Sequence, residues 1–313
     1  MTIRPSRSVA AGVAAMTLLG VTACGEPSTA ASEQGKVVVV TSTIVWGSVV
    51  RAVGGDRVAI RSVISDPAGD PHGYEAKPAD AVAFQGAKLA VSNGGGYDDF
   101  FAGLADTAGG DLRKIVAVDS AKEHEETATA PGGAGHDHGN EHVWYDFETV
   151  HEVADKVAGE LAAVDPSNKD EYEANAKAFG AKLDELAAKA EAIGKANPGG
   201  KVLATEPVAG LLLEHAGLTD ATPEEFSEAI EEETDPPAAA VAETESLVTG
   251  KQVIALIYNE QTETPVTKSI KDKAGTAGIP VVTVTETLPP GVTSYLDWMT
   301  KQVDSLSGAL AAA

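Results

Sequence analysis

Residues 165–200 read DPSNKDEYEANAKAFGAKLDELAAKAEAIGKANPGG, and this stretch decides the organisation of the chain. Its larger or apolar residues fall at Tyr172, Ala176, Phe179, Leu183, Leu186, Ala190 and Ile193, in alternating steps of four and three, with Lys, Asp and Glu around the rest. That spacing predicts one long helix with a single buried stripe. Asp165 is its expected N-cap with Pro166 in the first turn, and Asn197-Pro198-Gly199-Gly200 is its stop. At ~1.5 Å per residue it makes a rod of roughly 45–50 Å, long enough to join two lobes. Short, nearly continuous apolar runs lie on both sides of it: Val37–Val40, Val58–Ile64, Leu89–Val91 and Ile115–Val118 before, Val202–Ala204, Val253–Ile257 and Val281–Val284 after. Runs of this kind, each followed by turn residues and a helix-like stretch, are strands buried on both faces of parallel sheets. The expected fold is α/β, with two small open parallel-sheet lobes (36–164 and 198–313) joined by a long rigid helix (165–197).

The start of the chain is a processing signal. Arg4 and Arg7 precede an apolar run from Val9 to Val21, and Val21-Thr22-Ala23-Cys24 resembles a lipobox. Residues 1–23 are thus expected to be removed, Cys24 to carry the lipid anchor, and the small polar segment 24–35 to serve as a flexible stalk. Cleavage takes away two arginines and no acid, so the mature chain is more acidic still than the −24 of the full sequence. Such a surface repels phosphate backbones, which excludes nucleic acid as a partner. The aromatic content of 5% disfavours a stacking platform for bases or sugars. With its single cysteine committed to the anchor, the fold has neither a disulfide nor a thiolate site, and any metal must be held by nitrogen and oxygen.

In open α/β folds ligands bind beyond the carboxyl ends of the strands, so the informative residues are those just after each run. His72 sits between Pro71 and Gly73 in the loop after Val58–Ile64, and His142 lies in Glu141-His142-Val143-Trp144-Tyr145-Asp146. In the second lobe Glu206 and Glu286 end two strand runs, in Thr205-Glu206-Pro207 and Thr285-Glu286-Thr287. Two neutral imidazoles and two carboxylates would balance one divalent cation.

With these motifs the chain resembles the substrate-binding lipoproteins of metal-ion ABC transporters, the zinc and manganese receptors. The likeness rests on Asp70-Pro71-His72-Gly73-Tyr74-Glu75 with Pro78 and Asp80, Asn93-Gly94-Gly95-Gly96-Tyr97-Asp98, His142-Val143-Trp144-Tyr145-Asp146, Thr205-Glu206, and Glu286. It implies His72 and His142 as first-lobe ligands, Glu206 at the position that is His in many zinc receptors and Glu in manganese receptors, and Glu286 as the last ligand. It departs from the pattern at Ala76 and Glu141, where prolines are usual, and at Glu286, one methylene longer than the common Asp. The function implied is capture of one Zn(II) or Mn(II) as transported ligand and delivery to a cognate ABC permease with its cytoplasmic ATPase. The receptor would be an exported monomer, lipid-anchored on the outer face of the cytoplasmic membrane. Two carboxylates lean toward Mn(II), whereas the Irving–Williams order and the adjacent histidine stretch lean toward Zn(II), and zinc is slightly favoured.

Between the histidine motifs, His124, His136 and His138 lie in a glycine-flanked acidic stretch that could pass metal towards His142 as an accessory loop. His151 and His215 fall in helix-like stretches and read as surface or packing residues. The acidic run from Glu224 to Asp235 follows a capping-box start at Thr222-Pro223-Glu224-Glu225 and reads as a solvated helix with Phe226 and Ile230 on its buried face. No phosphate-cradling glycine-lysine loop, glycine-flanked serine nucleophile or helical two-histidine zinc motif is present, so the chain is not expected to be an enzyme. The alternative is an exported metal-dependent hydrolase using His72, His142 and one carboxylate, with an open position for water.

Overall fold

The computed structural model describes residues 33–121 and 139–311, so Cys24, His124, His136 and His138 lie outside the described residues. Two four-stranded sheets, all parallel, carry the fold. The first contains β1 (Val37–Thr43), β2 (Val58–Ile64), β3 (Leu89–Ser92) and β4 (Arg113–Val116) in the order β2-β1-β3-β4. The second contains β5 (Lys201–Ala204), β6 (Thr219–Asp220), β7 (Ala255–Asn259) and β8 (Val281–Val284) in the order β6-β5-β7-β8. The helices of the first half are α1 (Ile44–Gly54), the short α2 (Asp80–Ala83) and α3 (Asp99–Ala108). Between the sheets run α4 (Phe147–Val164) and α5 (Lys169–Ala196), and the second half adds α6 (Gly210–His215), α7 (Glu224–Glu231), α8 (Ala238–Thr249), α9 (Pro265–Ala277) and α10 (Tyr295–Ala311).

Strand alternation sorts the side chains into layers, because successive residues face opposite sides of a sheet. Val39, Leu89 and Val91 of the first sheet, and Val202, Ala204, Ala255, Ile257, Val282 and Val284 of the second, point into one shared core with the buried stripes of α4, α5 and α10. Their neighbours point the other way. Val40 and Ala90 pack with Phe84 and Phe101, and Leu203, Leu256 and Tyr258 pack with Phe226, Ile230 and Ile270.

All seven residues of the helical stripe are buried in α5, as the spacing requires. The start of that helix differs from expectation. Pro166–Asn168 forms a 3-10 turn and the α-helix begins at Lys169. The Asp165 carboxylate is taken up by Ser167, Asn168 and Tyr172 side chains at 2.6–2.7 Å, which fixes the corner between α4 and α5 instead of capping the helix. The run Ile115–Val118 also ends early as a strand, turning helical from residue 117. Two-residue β6 carries no apolar run and both its residues are exposed, so hydrophobic patterning could not find it. The C-terminal helix α10 returns over the first half: Ser48 Oγ donates to Thr293 O at 3.1 Å, Tyr295 N donates to Ser48 Oγ at 2.7 Å, and Tyr295 OH donates to Trp144 O at 2.5 Å.

Candidate metal centre

His72 follows β2 on a loop that turns sharply, with its backbone N donating to Asp70 Oδ1 at 2.9 Å. His142 is fully buried at the entry to the 3-10 turn Val143–Tyr145. Asn140 Oδ1 lies 2.9 Å from both its backbone N and its Nδ1, which takes up one ring nitrogen and leaves Nε2 facing the cleft. The same Asn140 donates from Nδ2 to Pro207 O at 3.0 Å, tying the His142 loop to the end of β5.

The Asn93–Asp98 segment supports both histidines from behind. Asp98, 2% exposed, accepts from Asn93 N at 2.7 Å and Gly94 N at 2.8 Å, and Asn93 Nδ2 donates to Glu141 O at 2.7 Å. Gly94 has a φ of +79°, and a Cβ there would sit 2.5 Å from Val116 Cγ1, so glycine is required. The closed loop sets the buried Tyr97 ring edge-on to His72 at 5.0 Å and to His142 at 6.2 Å.

From the second half, Glu286 follows β8. Its backbone N donates to Gln261 Oε1 at 2.6 Å, and its Oε1 lies 3.3 Å from His142 Nε2 and 3.9 Å from His72 Nε2. A residue not anticipated from the sequence joins it: Oε1 of Glu231, the last residue of α7, lies 3.1 Å from His142 Nε2 and 3.6 Å from His72 Nε2. One potential ligand atom from each of His72, His142, Glu231 and Glu286 falls within 4.8 Å of the others. A tetrahedral ion with bonds of about 2.1 Å separates its ligands by about 3.4 Å, so these spacings suit one transition-metal ion.

Glu206, the remaining expected ligand, lines the same cleft but stands outside this cluster. Its Oε2 accepts from Asn259 Nδ2 at 2.8 Å and its Oε1 accepts from the Thr262 hydroxyl. Asn259 is itself held, its N donating to Thr205 Oγ1 at 3.1 Å. The capping box expected at Thr222 does not form. Its hydroxyl instead accepts from Ala204 N at 2.7 Å, anchoring the start of α7 to the end of β5. That anchor, with Phe226 and Ile230 buried, sets the rotation of α7 and turns Glu231 inward while its other acids remain solvated.

The cleft encloses about 2040 Å³, far more than an ion needs, and no Lys or Arg is found among the described residues that line it. Acidic groups from Glu206, Glu224, Glu228, Glu231, Glu263 and Glu286 surround it, a field that gathers cations and repels anions. The same field reorganises the protons. Burial works against charge on His142, but the adjoining Glu231 and Glu286 carboxylates outweigh it and push the ring up to about 10. Burial pushes the Glu206 carboxyl up to about 7, opposed by the bonds from Thr262 and Asn259. The other two histidines singled out lie elsewhere. His151 packs against Gly180 of α5, and His215 meets Phe147 edge-on at 5.8 Å.

The family model for ZnuA, zinc-uptake complex component A, periplasmic, matches residues 39–309. Among relatives, the manganese ABC transporter substrate-binding lipoprotein PsaA of Streptococcus pneumoniae is 30% identical over 176 residues, 54% of this chain and 55% of that protein. The iron ABC transporter substrate-binding lipoprotein MtsA of Streptococcus pyogenes serotype M1 is 28% identical over 169 residues, 52% of this chain and 53% of that protein. The chain thus spans about half the length of the curated relatives it matches. These relatives are substrate-binding proteins and lend no support to a hydrolase. The fold is shared with the periplasmic zinc binding protein TroA from Treponema pallidum, at a TM-score of 0.69 and 18% identity over 88% of this chain and 99% of that one. It is shared also with the substrate-binding protein FpvC from Pseudomonas aeruginosa in complex with Mn2+, at a TM-score of 0.69 and 19% identity over 88% of this chain and 99% of that one. With the match running almost from the first strand to the end of the last helix, the chain belongs to the ZnuA family of periplasmic zinc-uptake components.

Proposed function

We propose that this protein is an extracytoplasmic receptor that captures one divalent transition-metal ion at the facing ends of its two sheets and delivers it to an ABC permease driven by a cytoplasmic ATPase. The observation that carries this reading is the convergence of His72 Nε2, His142 Nε2 and the Glu286 carboxylate, from three separate segments of the chain, in a cleft lined by carboxylates. The sequence nominates Glu206 as the fourth ligand. Two imidazoles and two carboxylates make a neutral assembly with a divalent ion, with no charge left over to activate water, and the protein carries out no chemical conversion. Zinc is the proposed cargo, because a nitrogen and oxygen shell of this size binds it more tightly than manganese. The relatives named for manganese and iron make those ions the competitors to test. The protein is proposed to act as a monomer tethered through Cys24, with 36–164, 165–197 and 198–313 as first lobe, linking helix and second lobe, and with His124, His136 and His138 as an accessory capture loop.

The test is metal content by mass spectrometry on untagged protein beginning after Cys24, followed by competitive titration with Zn(II), Mn(II) and Fe(II). One ion per chain, with tight binding lost in both His72→Ala and His142→Ala, is the expected result. Stoichiometric affinity retained in either variant would sink the assignment.

A further inference from the structure

We infer that Tyr145 is a positioning residue for the captured ion: its hydroxyl reaches from the first half of the chain to the peptide unit from which Glu286 projects, so that the turn carrying His142 also fixes where Glu286 stands. The inference rests on the receptor reading above and adds to it a side chain that touches no metal.

The turn comes first. His142 and Tyr145 flank and close the 3-10 segment, three positions apart, and in a 3-10 turn the side chains at i and i+3 eclipse. The imidazole and the phenol therefore leave on the same side. Tyr145 N donates to His142 O at 2.9 Å and Asp146 N to Val143 O at 3.1 Å, which closes the turn. It is mounted at both ends. Asn140 holds His142, and the Asp146 carboxylate accepts from Glu148 N at 3.1 Å and Thr149 N at 3.3 Å, capping α4. Between them Tyr295 OH bonds Trp144 O, and the fully buried Tyr145 ring packs against Trp298 with centroids 5.8 Å apart. The His142 ring and the Tyr145 hydroxyl are thus carried on one rigid mount.

Across the cleft, Tyr145 OH donates to Thr285 O at 2.7 Å. That carbonyl and the Glu286 N–H belong to one planar peptide unit, and the N–H end donates to Gln261 Oε1 at 2.6 Å. The following unit is held as well: Thr287 N donates to the same Gln261 Oε1 at 3.1 Å, and Thr287 O accepts from Thr285 Oγ1 at 2.9 Å. Thr285 Oγ1 in turn accepts from Trp298 Nε1 at 2.9 Å. Both peptide planes that meet at the Glu286 Cα are thereby fixed, and only the side-chain torsions remain free. Tyr145 brings the first half of the chain into that hold, so His142 Nε2 and Glu286 Oε1, 3.3 Å apart, are spaced by one turn and not by two independent loops. A ligand pair ordered before the ion arrives costs less to assemble and releases the ion more slowly. Without the hydroxyl the buried Thr285 carbonyl loses this donor, and the plane that aims Glu286 loses its first-half support.

The experiment is a double-mutant cycle in the soluble protein beginning after Cys24, titrated with Zn(II) against a chromogenic chelator, with zinc release followed by stopped flow. Tyr145→Phe removes the hydroxyl and keeps the ring that fills the core. It is expected to weaken zinc about tenfold, chiefly through faster release. In the Glu286→Gln background, where there is no carboxylate left to aim, the same change is expected to cost less than about twofold. Tyr172→Phe is the control for lost stability: it deletes a hydroxyl that donates to Asp165 at 2.7 Å at the corner between α4 and α5, and should lower the melting temperature while zinc affinity stays within about twofold of wild type. Wild-type affinity and release in Tyr145→Phe would overturn the inference. So would an equal loss with and without the Glu286 carboxylate, or a matching loss in Tyr172→Phe, either of which makes Tyr145 an ordinary core residue. His72→Ala separates the two levels of argument: full affinity there refutes the receptor site itself, whereas its loss beside an unaffected Tyr145→Phe refutes only the role of Tyr145.

Discussion

Because the metal-free site holds a proton where the ion must go, metal affinity should depend steeply on pH. His142 is held up to about 10 by the Glu231 and Glu286 carboxylates, so its ring is charged through the neutral range. An ion can bond to Nε2 only after displacing that proton. At about pH 7 this costs roughly three units at 1.36 kcal/mol each, or about 4 kcal/mol, and lowers the apparent affinity about a thousandfold relative to the neutral ring. Affinity should therefore rise about tenfold per pH unit between about pH 7 and 9, with one proton released per ion. Near and below about 7 the slope should steepen towards two, because the Glu206 carboxyl, pushed up to about 7, then also carries a proton that a neighbouring cation expels. Competition against a chelator of known pH dependence gives the slope. Calorimetric titration in buffers of different ionisation enthalpy gives the proton count. A flat affinity between about pH 7 and 8.5, with no proton released, would refute the argument that carboxylate pairing dominates the His142 environment.

Further expectations follow from the same residues. The metal-free protein should lose stability as pH rises. The His142 pairing contributes fully below the unfolded value of about 6.5 and is lost on passing about 10, and Glu206, raised from 4.5 to about 7, favours folding in acid and costs about 3 kcal/mol once ionised. Melting temperatures of metal-free protein should fall from about pH 5 to 9 while the increment from bound zinc grows, and a metal-free melting temperature that climbs over that range would contradict it. Gln261 spans the mouth of the cleft, donating from Nε2 to Pro67 O at 2.8 Å and Thr287 Oγ1 at 2.7 Å while its Oε1 holds Glu286 N. Gln261→Ala should remove about 1–2 kcal/mol of closure and speed metal release roughly 5–30-fold in stopped-flow chelation, and an unchanged rate would dismiss the latch. In α5, a Cβ at Gly194 would lie 2.0 Å from the Ala216 carbonyl oxygen, so Gly194→Ala should cost about 1–3 kcal/mol in denaturant melts, and an unchanged midpoint would show that this contact yields freely.

Where the sequence could be read, local chemistry was the reason. The stripe of α5 is a matter of helical period, and every residue of it is buried. His72 stands out because it follows an apolar strand and is held between Pro71 and Gly73, Glu286 because it comes just after an apolar strand, and His142 by the apolar Val143-Trp144-Tyr145 beside it. Glu231 carries no such mark. It sits in a run of acids where a solvated face explains any one of them, and its inward turn depends on Thr222 bonding to Ala204 across the chain and on Phe226 and Ile230 filling the outer core. Thr222 misled for the same reason: its spacing to Glu225 fits a capping box, but the end of β5 offers its hydroxyl a better-placed partner. The return of α10 over Ser48 and Trp144 is tertiary in the same way, since nothing in its period says which face of which sheet it covers.

The arrangement bears on how a tightly held ion can be given up. Glu206, Glu231 and Glu286 crowd two imidazoles, and three carboxylates so near one another repel strongly unless a positive charge is present. In the empty site that charge is the His142 proton, joined at lower pH by the proton on Glu206; in the loaded site it is the ion. Loading and unloading are then an exchange of cations, and in both states positive charge faces the carboxylates. Release needs no step in which the carboxylates face one another unscreened, provided protons enter as the metal leaves. Parting the Gln261 bridge to Pro67 and the Asn140 bridge to Pro207 would admit water to the site and supply those protons. On the receptor function proposed above, a permease that pulled these two hydrogen-bonded bridges apart would have a route to lower the affinity without touching a ligand.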